Sequence, residues 1–178
     1  MKNLVLGIGN PILGDDGIGV RIAQELAKEI KDENIDVKDT SVDGLNLLEL
    51  IVGYDKVVMI DAIMTEVGEV GEIYRIKPEN VCDPSCSAIS LHHFNLATTI
   101  EIGKKLFPMK MPEEVIIFAV GTREVARVTE EMTIKVKEAI PKVVNLVLEE
   151  VDPANKYRDT GHPLDSNIPL NCTSETSE

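Results

Sequence analysis

Asp16, Asp61 and His92 are the side chains of this 178-residue chain best suited, by type and position, to metal chemistry. Two carboxylates and a neutral imidazole make a donor set for a first-row divalent metal, zinc among them. Such a set leaves coordination positions open for water or a substrate group. Asp16 stands in the glycine-rich run Gly7-Ile8-Gly9-Asn10-Pro11-Ile12-Leu13-Gly14-Asp15-Asp16-Gly17-Ile18-Gly19, between an apolar segment and a helical pattern. Asp61 closes the apolar run Val57-Val58-Met59-Ile60. An acid at the end of a buried strand is costly unless it is paired or coordinating. His92 follows Ser90-Leu91 at a helix start, where the helix dipole disfavours an imidazolium and leaves the neutral, ligating ring.

Each residue also has a plainer reading. Asp15 and Asp16 can cap a helix, with the Asp15 charge peripheral to any site. Asp61 can accept hydrogen bonds from loop amides. His92 or His93 can be an ordinary satisfied histidine. The metal reading rests on convergence, because three ligands follow three different strands at the sheet edge where open α/β folds bind ligands.

The glycine run has competing interpretations. A dinucleotide fingerprint fails because its third glycine would fall on Ile12, and Asp15 and Asp16 would repel a pyrophosphate at the helix start. A phosphate-binding Walker loop fails because no Gly-Lys-Ser/Thr follows. Peptidyl-tRNA hydrolases also open with a strand running into Gly-x-Gly-Asn-Pro, but the resemblance stops after Pro11. Cys82-x-x-x-Cys86 beside His92 and His93 is a weak zinc pattern without a second cysteine pair. Nothing in the sequence brings Cys86 to His92 for thiolate chemistry, and Cys172 has no readable role. A serine nucleophile elbow is absent. His162 lies in the tail, and Arg21 reads as a surface charge.

The elements that must position these residues form a repeating pattern. Apolar runs at Lys2–Ile8, Lys56–Asp61 and Val115–Val120 read as buried strands. Ile35–Ser41 alternates as a strand, and Gly71–Ile76 as an antiparallel edge strand. Helical spacing covers Asp16–Ile30, Leu45–Val52, Leu91–Leu106 (with Ser90 as its cap) and Thr129–Glu150, where Pro141 kinks or divides the last helix. The expected fold is a three-layer α/β/α sandwich on a mostly parallel, twisted sheet. Only 3% of residues are aromatic, so its core must be aliphatic. Residues 1–151 form one domain. Residues 152–178 turn to Pro, Asn, Asp, Ser and Thr and form a poorly packed tail.

The formal net charge of −13 makes nucleic acid and anionic membranes poor partners. No run approaches a transmembrane length, and three cysteines without an export signal point to reduced thiols in the cytoplasm. A monomer is the expected oligomeric state.

Taken in order, Gly7-x-Gly9-Asn10, Gly14-Asp15-Asp16-Gly17-Ile18-Gly19, Ile60-Asp61-Ala62 and Ser90-Leu91-His92 resemble the pattern of hydrogenase maturation endopeptidases over about residues 1–150. Asp43-Gly44 resembles a turn of that family. The resemblance implies metal binding and catalysis at Asp16, Asp61 and His92. Asn10, Asp15, Asp43, Gly44 and His93 are then candidates for supporting the ligands or touching substrate. It implies removal of a C-terminal extension from a [NiFe]-hydrogenase large-subunit precursor after nickel insertion, with nickel either resident or carried by the substrate. A non-catalytic nickel-binding checkpoint protein of the same fold is the rival. The segment Gly121-Thr122-Arg123-Glu124 departs from the Gly-Ile-x-Pro turn of many relatives, which bears on which hydrogenase is served.

Overall fold

A computed structural model describes residues 1–42, 44–64, 68–78, 91–123 and 128–152; of residues 91–97 it describes the backbone only. The chain runs β1 (Asn3–Ile8), a 3-10 turn (Gly14–Gly17), α1 (Ile18–Glu29), β2 (Ile35–Thr40), α2 (Asn46–Ile51) and β3 (Lys56–Met64). It continues through β4 (Ile73–Ile76), α3 (Leu91–Leu106), β5 (Glu114–Thr122) and α4 (Ile134–Val151). The five strands lie in the order β2-β1-β3-β5-β4. All neighbours are parallel except the β4–β5 edge pair, which is antiparallel.

The apolar runs of β3 and β5 follow from their central places in the sheet, because both faces of those strands are covered. On one face Val58, Ile60 and Ala62 of β3 pack with Ile18, Ile22 and Leu26 of α1 and Val136, Ala139 and Val143 of α4. On the other, Val57, Met59 and Ile63 pack with Leu47, Leu48 and Ile51 of α2 and Ile100 of α3. This is the expected sandwich, with helices α1 and α4 on one side and α2 and α3 on the other.

Several boundaries differ from the sequence expectation. The first helix begins at Ile18, so Asp16 belongs to the preceding 3-10 turn. The last begins at Ile134 and passes unbroken through Pro141. Pro141 lies on the exposed face of α4, where the carbonyl that loses its donor can meet water. Most important, β3 does not end at Asp61. It continues to Met64, carried by its ladder with β5 as far as the pair Met64 and Thr122. The expected loop at 81–89, the Ser90 cap and the tail beyond 152 lie outside the described residues.

Candidate active site

The parallel ladder between β1 and β3 stops at the pair Gly7 and Ile60. Asp61 is the next residue of β3, just past the last paired residue of its neighbour. The connection from β1 leads to β2 on one side, while the connection from β2 returns to β3 on the other. The carboxyl ends of β1 and β3 therefore flank the reversal in strand order, where doubly wound sheets open a crevice. The turn carrying Asp16 leaves β1 at that point.

Glycines close this turn onto the sheet. A Cβ on Gly19 would lie 2.2 Å from the Ile8 carbonyl oxygen and 2.3 Å from that of Ile60. The start of α1 thus sits directly over the ends of both strands. Gly9 has a φ of +136°, and a Cβ there would meet the Asp16 carbonyl oxygen at 1.9 Å. The absent side chains let the turn fold back tightly enough for the Asn10 backbone N–H to donate to Asp16 Oδ2 at 2.7 Å. Asn10 Oδ1 accepts from the Ile12 N–H at 3.2 Å and braces the same turn. Asn10 thus orients the Asp16 carboxylate through its backbone and braces the turn with its side chain.

Asp61 is only 8% exposed. Alternation along β3 sets its side chain on the face of Met59 and Ile63, the side of the sheet that carries α2 and α3. Its Oδ1 accepts the Ala62 N–H at 2.8 Å. Burial pushes its carboxyl well above the usual range; the Ala62 bond opposes that shift, and the nearby Asp16 charge adds to it.

The side chains of His92 and His93 lie outside the described residues, as do Asp43, Cys82, Cys86 and Cys172. The backbone of α3 starts at Leu91, as the sequence predicts. Gly44 adopts a φ of +57° and its carbonyl accepts the Leu47 N–H in the turn into α2. Asp15 is tied into the fold through the start of α4. It is 6% exposed, and its carboxylate accepts the Thr133 backbone N–H at 2.7 Å and the Thr133 hydroxyl at 3.1 Å. Thr133 is the N-cap of α4 and makes no capping bond with its own side chain. Asp15 instead anchors the N-cap residue itself, from 118 residues away. A role between such distant positions leaves no local mark in the sequence.

A family model described as "Hydrogenase maturation protease" matches residues 20–150. The chain belongs to the hydrogenase maturation protease family. The matched stretch contains Asp61 and His92 and begins just after Asp16. The chain is 32% identical over 101 residues to the Hydrogenase 2 maturation protease of Escherichia coli, covering 56% of this chain and 62% of that protein. It is 26% identical over 151 residues to a putative hydrogenase maturation protease of Methanocaldococcus jannaschii, covering 83% and 95%. Among solved structures, the E. coli hydrogenase maturating endopeptidase HybD superposes with a TM-score of 0.73 at 26% identity, covering 86% of this chain and 94% of that one.

Membership makes this a peptidase fold linked to nickel enzymes. Among the described residues no three His, Cys, Asp or Glu side chains gather as a complete metal site. The two described carboxylates nonetheless fit a divalent cation by their chemistry. Burial and the Asp16 charge both disfavour an ionised Asp61, and a cation would relieve that penalty. Also among the described residues, no helix is long and apolar enough to cross a membrane.

Proposed function

We propose that this protein is a cytoplasmic, monomeric endopeptidase that removes the C-terminal extension of a [NiFe]-hydrogenase large-subunit precursor once nickel is in place. The observation that carries the proposal is the placement of Asp16 and Asp61 at the strand-order reversal, in a chain of the hydrogenase maturation protease family. Asp16 and Asp61 serve as carboxylate ligands, and His92 as the imidazole ligand. Topology supports His92: α3 ends where the link to β5 begins, at the amino edge of the sheet, so its first turn starts toward the carboxyl edge. It does so on the face to which Asp61 points.

The chain's own residues do most of what can be assigned. The Asn10 N–H holds Asp16 Oδ2, and the Ala62 N–H holds Asp61 Oδ1, so each carboxylate is fixed in orientation by the backbone. Burial of Asp61 excludes water and strengthens every charge interaction there. A divalent metal bound at these residues would polarise the scissile carbonyl and lower the pKa of a water. If nickel arrives inside the precursor, the same side chains recognise the substrate's metal and fix the peptide beside it.

The test is to mix the protein with nickel-loaded and nickel-free candidate precursors and follow the large subunit by mass spectrometry. A shortened product from the nickel-loaded form alone is expected. Intact precursor in both arms, with nickel still bound by the protein, would move the chain to the class of non-catalytic checkpoint proteins.

A further inference from the structure

Asp61 has neighbours on its own face of the sheet that the metal chemistry does not use. In the strand ladders Asp61 stands opposite Ala119 of β5, and Ala119 stands opposite Tyr74 of β4. Residues paired across a sheet share a face, so these three form one row on the side of α2 and α3. The packing agrees, because Ala119 belongs to the core on that side and Tyr74 packs against it. Ala119 contributes only a methyl group, so Tyr74 is the next polar side chain along the row from Asp61. Two strand spacings separate their backbones, about 10 Å. The Tyr74 hydroxyl donates to Glu72 Oε2 at 2.5 Å, and the Glu69 N–H donates to the same oxygen at 3.0 Å. Strand pairing continues through Glu72, whose carbonyl accepts the Gly121 N–H at 2.8 Å. Gly121 in turn stands opposite Ile63, two residues past Asp61. Glu72 is therefore exposed at the carboxyl edge, just beyond the level of Asp61.

The Glu72 carboxylate is thus held by two donors, neither of them a cation. Asp36, Glu114 and Glu150 at the amino edge each have a lysine or arginine partner. Among the described residues no cation pairs with Glu72. Arg75, its near neighbour in β4, is engaged by Glu150 instead. A carboxylate already fixed in place loses little freedom when a cation joins it. We propose that Glu72, held by Tyr74, is a specificity-determining residue that receives a lysine or arginine side chain of the substrate peptide. The row spacing of about 10 Å places that side chain about three residues of extended peptide from the scissile bond. This inference rests on the proposed peptidase activity, and it adds a residue that chooses the sequence to be cut.

The test compares Glu72→Gln and Tyr74→Phe with the unmodified protein and with Glu113→Gln. Glu113 is an exposed acid just before β5, at the amino edge. Each protein is assayed on nickel-loaded precursor, and on a precursor whose lysines and arginines within about four positions of the scissile bond are replaced by glutamine. Labelled peptides copied from both precursors across the scissile bond report binding, and calorimetry reports nickel affinity. Glu72→Gln should raise KM about tenfold on the natural precursor and leave kcat, nickel affinity and melting temperature near the unmodified values. On the neutralised precursor KM should already be raised, and Glu72→Gln should add nothing. Tyr74→Phe should raise KM by a smaller factor, about threefold, because the carboxylate keeps its charge and loses one of its two bonds. Glu113→Gln should be silent. An unchanged KM in Glu72→Gln, or an equal rise on both precursors, would overturn the assignment. If the unmodified protein cleaves no precursor, the peptidase reading is lost, and the peptides decide the subsite on their own. Glu72→Gln should then weaken binding of the natural peptide alone, and equal binding by both proteins would overturn it.

Discussion

The two ends of the same parallel strands handle charge in opposite ways. At the amino edge, opposite charges are matched. Lys56 Nζ, at the start of β3, lies 2.5 Å from Glu150 and 2.9 Å from Glu114. Arg75 adds a second cation to Glu150 at 2.9 Å. Lys2 pairs with Asp36 at 3.0 Å, and the Tyr54 hydroxyl donates to the same carboxylate. At the carboxyl edge, two carboxylates are placed at neighbouring strand ends instead, and a backbone N–H holds an oxygen of each. The first edge is arranged to hold the fold, because its pairs lower the energy of the folded state directly. The second is proposed to meet a cation, because two carboxylates at the strand ends offer it oxygen donors.

The sharpest way to break this contrast is to neutralise one acid at each edge. Asp61→Asn should reduce precursor processing by at least about 100-fold, and Asp16→Asn should do the same, since each removes a proposed metal ligand. Stability should move the other way. The carboxyl of Asp61 is raised by burial and by Asp16. The folded state therefore prefers the protonated form, and that preference is lost as pH rises through the folded value. At neutral pH the ionised group is held at a cost that asparagine does not carry, so Asp61→Asn should melt at the same temperature or higher. Nickel at 100 times its dissociation constant should stabilise the unmodified protein by about 2.7 kcal/mol and leave Asp61→Asn unmoved. A variant that processes normally, or that unfolds on neutralisation, would place Asp61 with the structural acids of the other edge.

Glu150→Gln is the matching substitution at the amino edge, and its sign should be reversed. Burial pushes the Glu150 carboxyl up, but the bonds from Lys56 and Arg75 outweigh that and hold it below the usual glutamate range. The side chain is 18% exposed and its Lys56 partner 16%, so the pair lies between surface and interior. Losing the charge should cost about 1–2 kcal/mol at neutral pH. Because the folded value is depressed, the stabilisation is complete above the unfolded-state value and disappears as pH falls through the folded one. Denaturant melts at neutral and acid pH should therefore show a gap between Glu150→Gln and the unmodified protein that closes in acid. Processing should be retained, because the network lies a full strand length from the acid pair.

The contrast was only half legible in the sequence. The α/β order, the antiparallel edge strand and the α3 boundaries follow from apolar runs and helical spacing, which are local signals. Asp61 stood out because an acid after four buried aliphatics breaks that pattern. Its place past the end of the β1 ladder, inside a strand that continues to Met64, depends on how far β5 extends beside it. The amino-edge network had no signature at all. Lys56, Glu114 and Glu150 are ordinary surface types in the sequence, and only the fold brings residues 94 positions apart within 2.5 Å. The glycine turn was readable as a turn, but the close approaches that require Gly9 and Gly19 are tertiary.

The smallest expected effect falls on Asp15, whose neighbour Asp16 should show one of the largest. The two acids share a turn and face different tasks: Asp16 is held by Asn10, while Asp15 holds Thr133 at the start of α4. Asparagine at position 15 can still accept the Thr133 N–H through its carbonyl and bond the hydroxyl through its amide. What it loses is the negative charge at the helix N-terminus, worth about 0.3–1 kcal/mol. Asp15→Ala removes both acceptors from a buried site, leaves the Thr133 N–H without them, and should cost about 1–3 kcal/mol. Processing at a temperature well below either melting point should remain within about threefold of the unmodified rate, because this loss acts through α4 and leaves the charge of the acid pair intact. A collapse of processing in a stably folded Asp15→Asn protein would show that the Asp15 charge belongs to the reactive edge, and the division between holding the fold and meeting a cation would then have to be redrawn within this one turn.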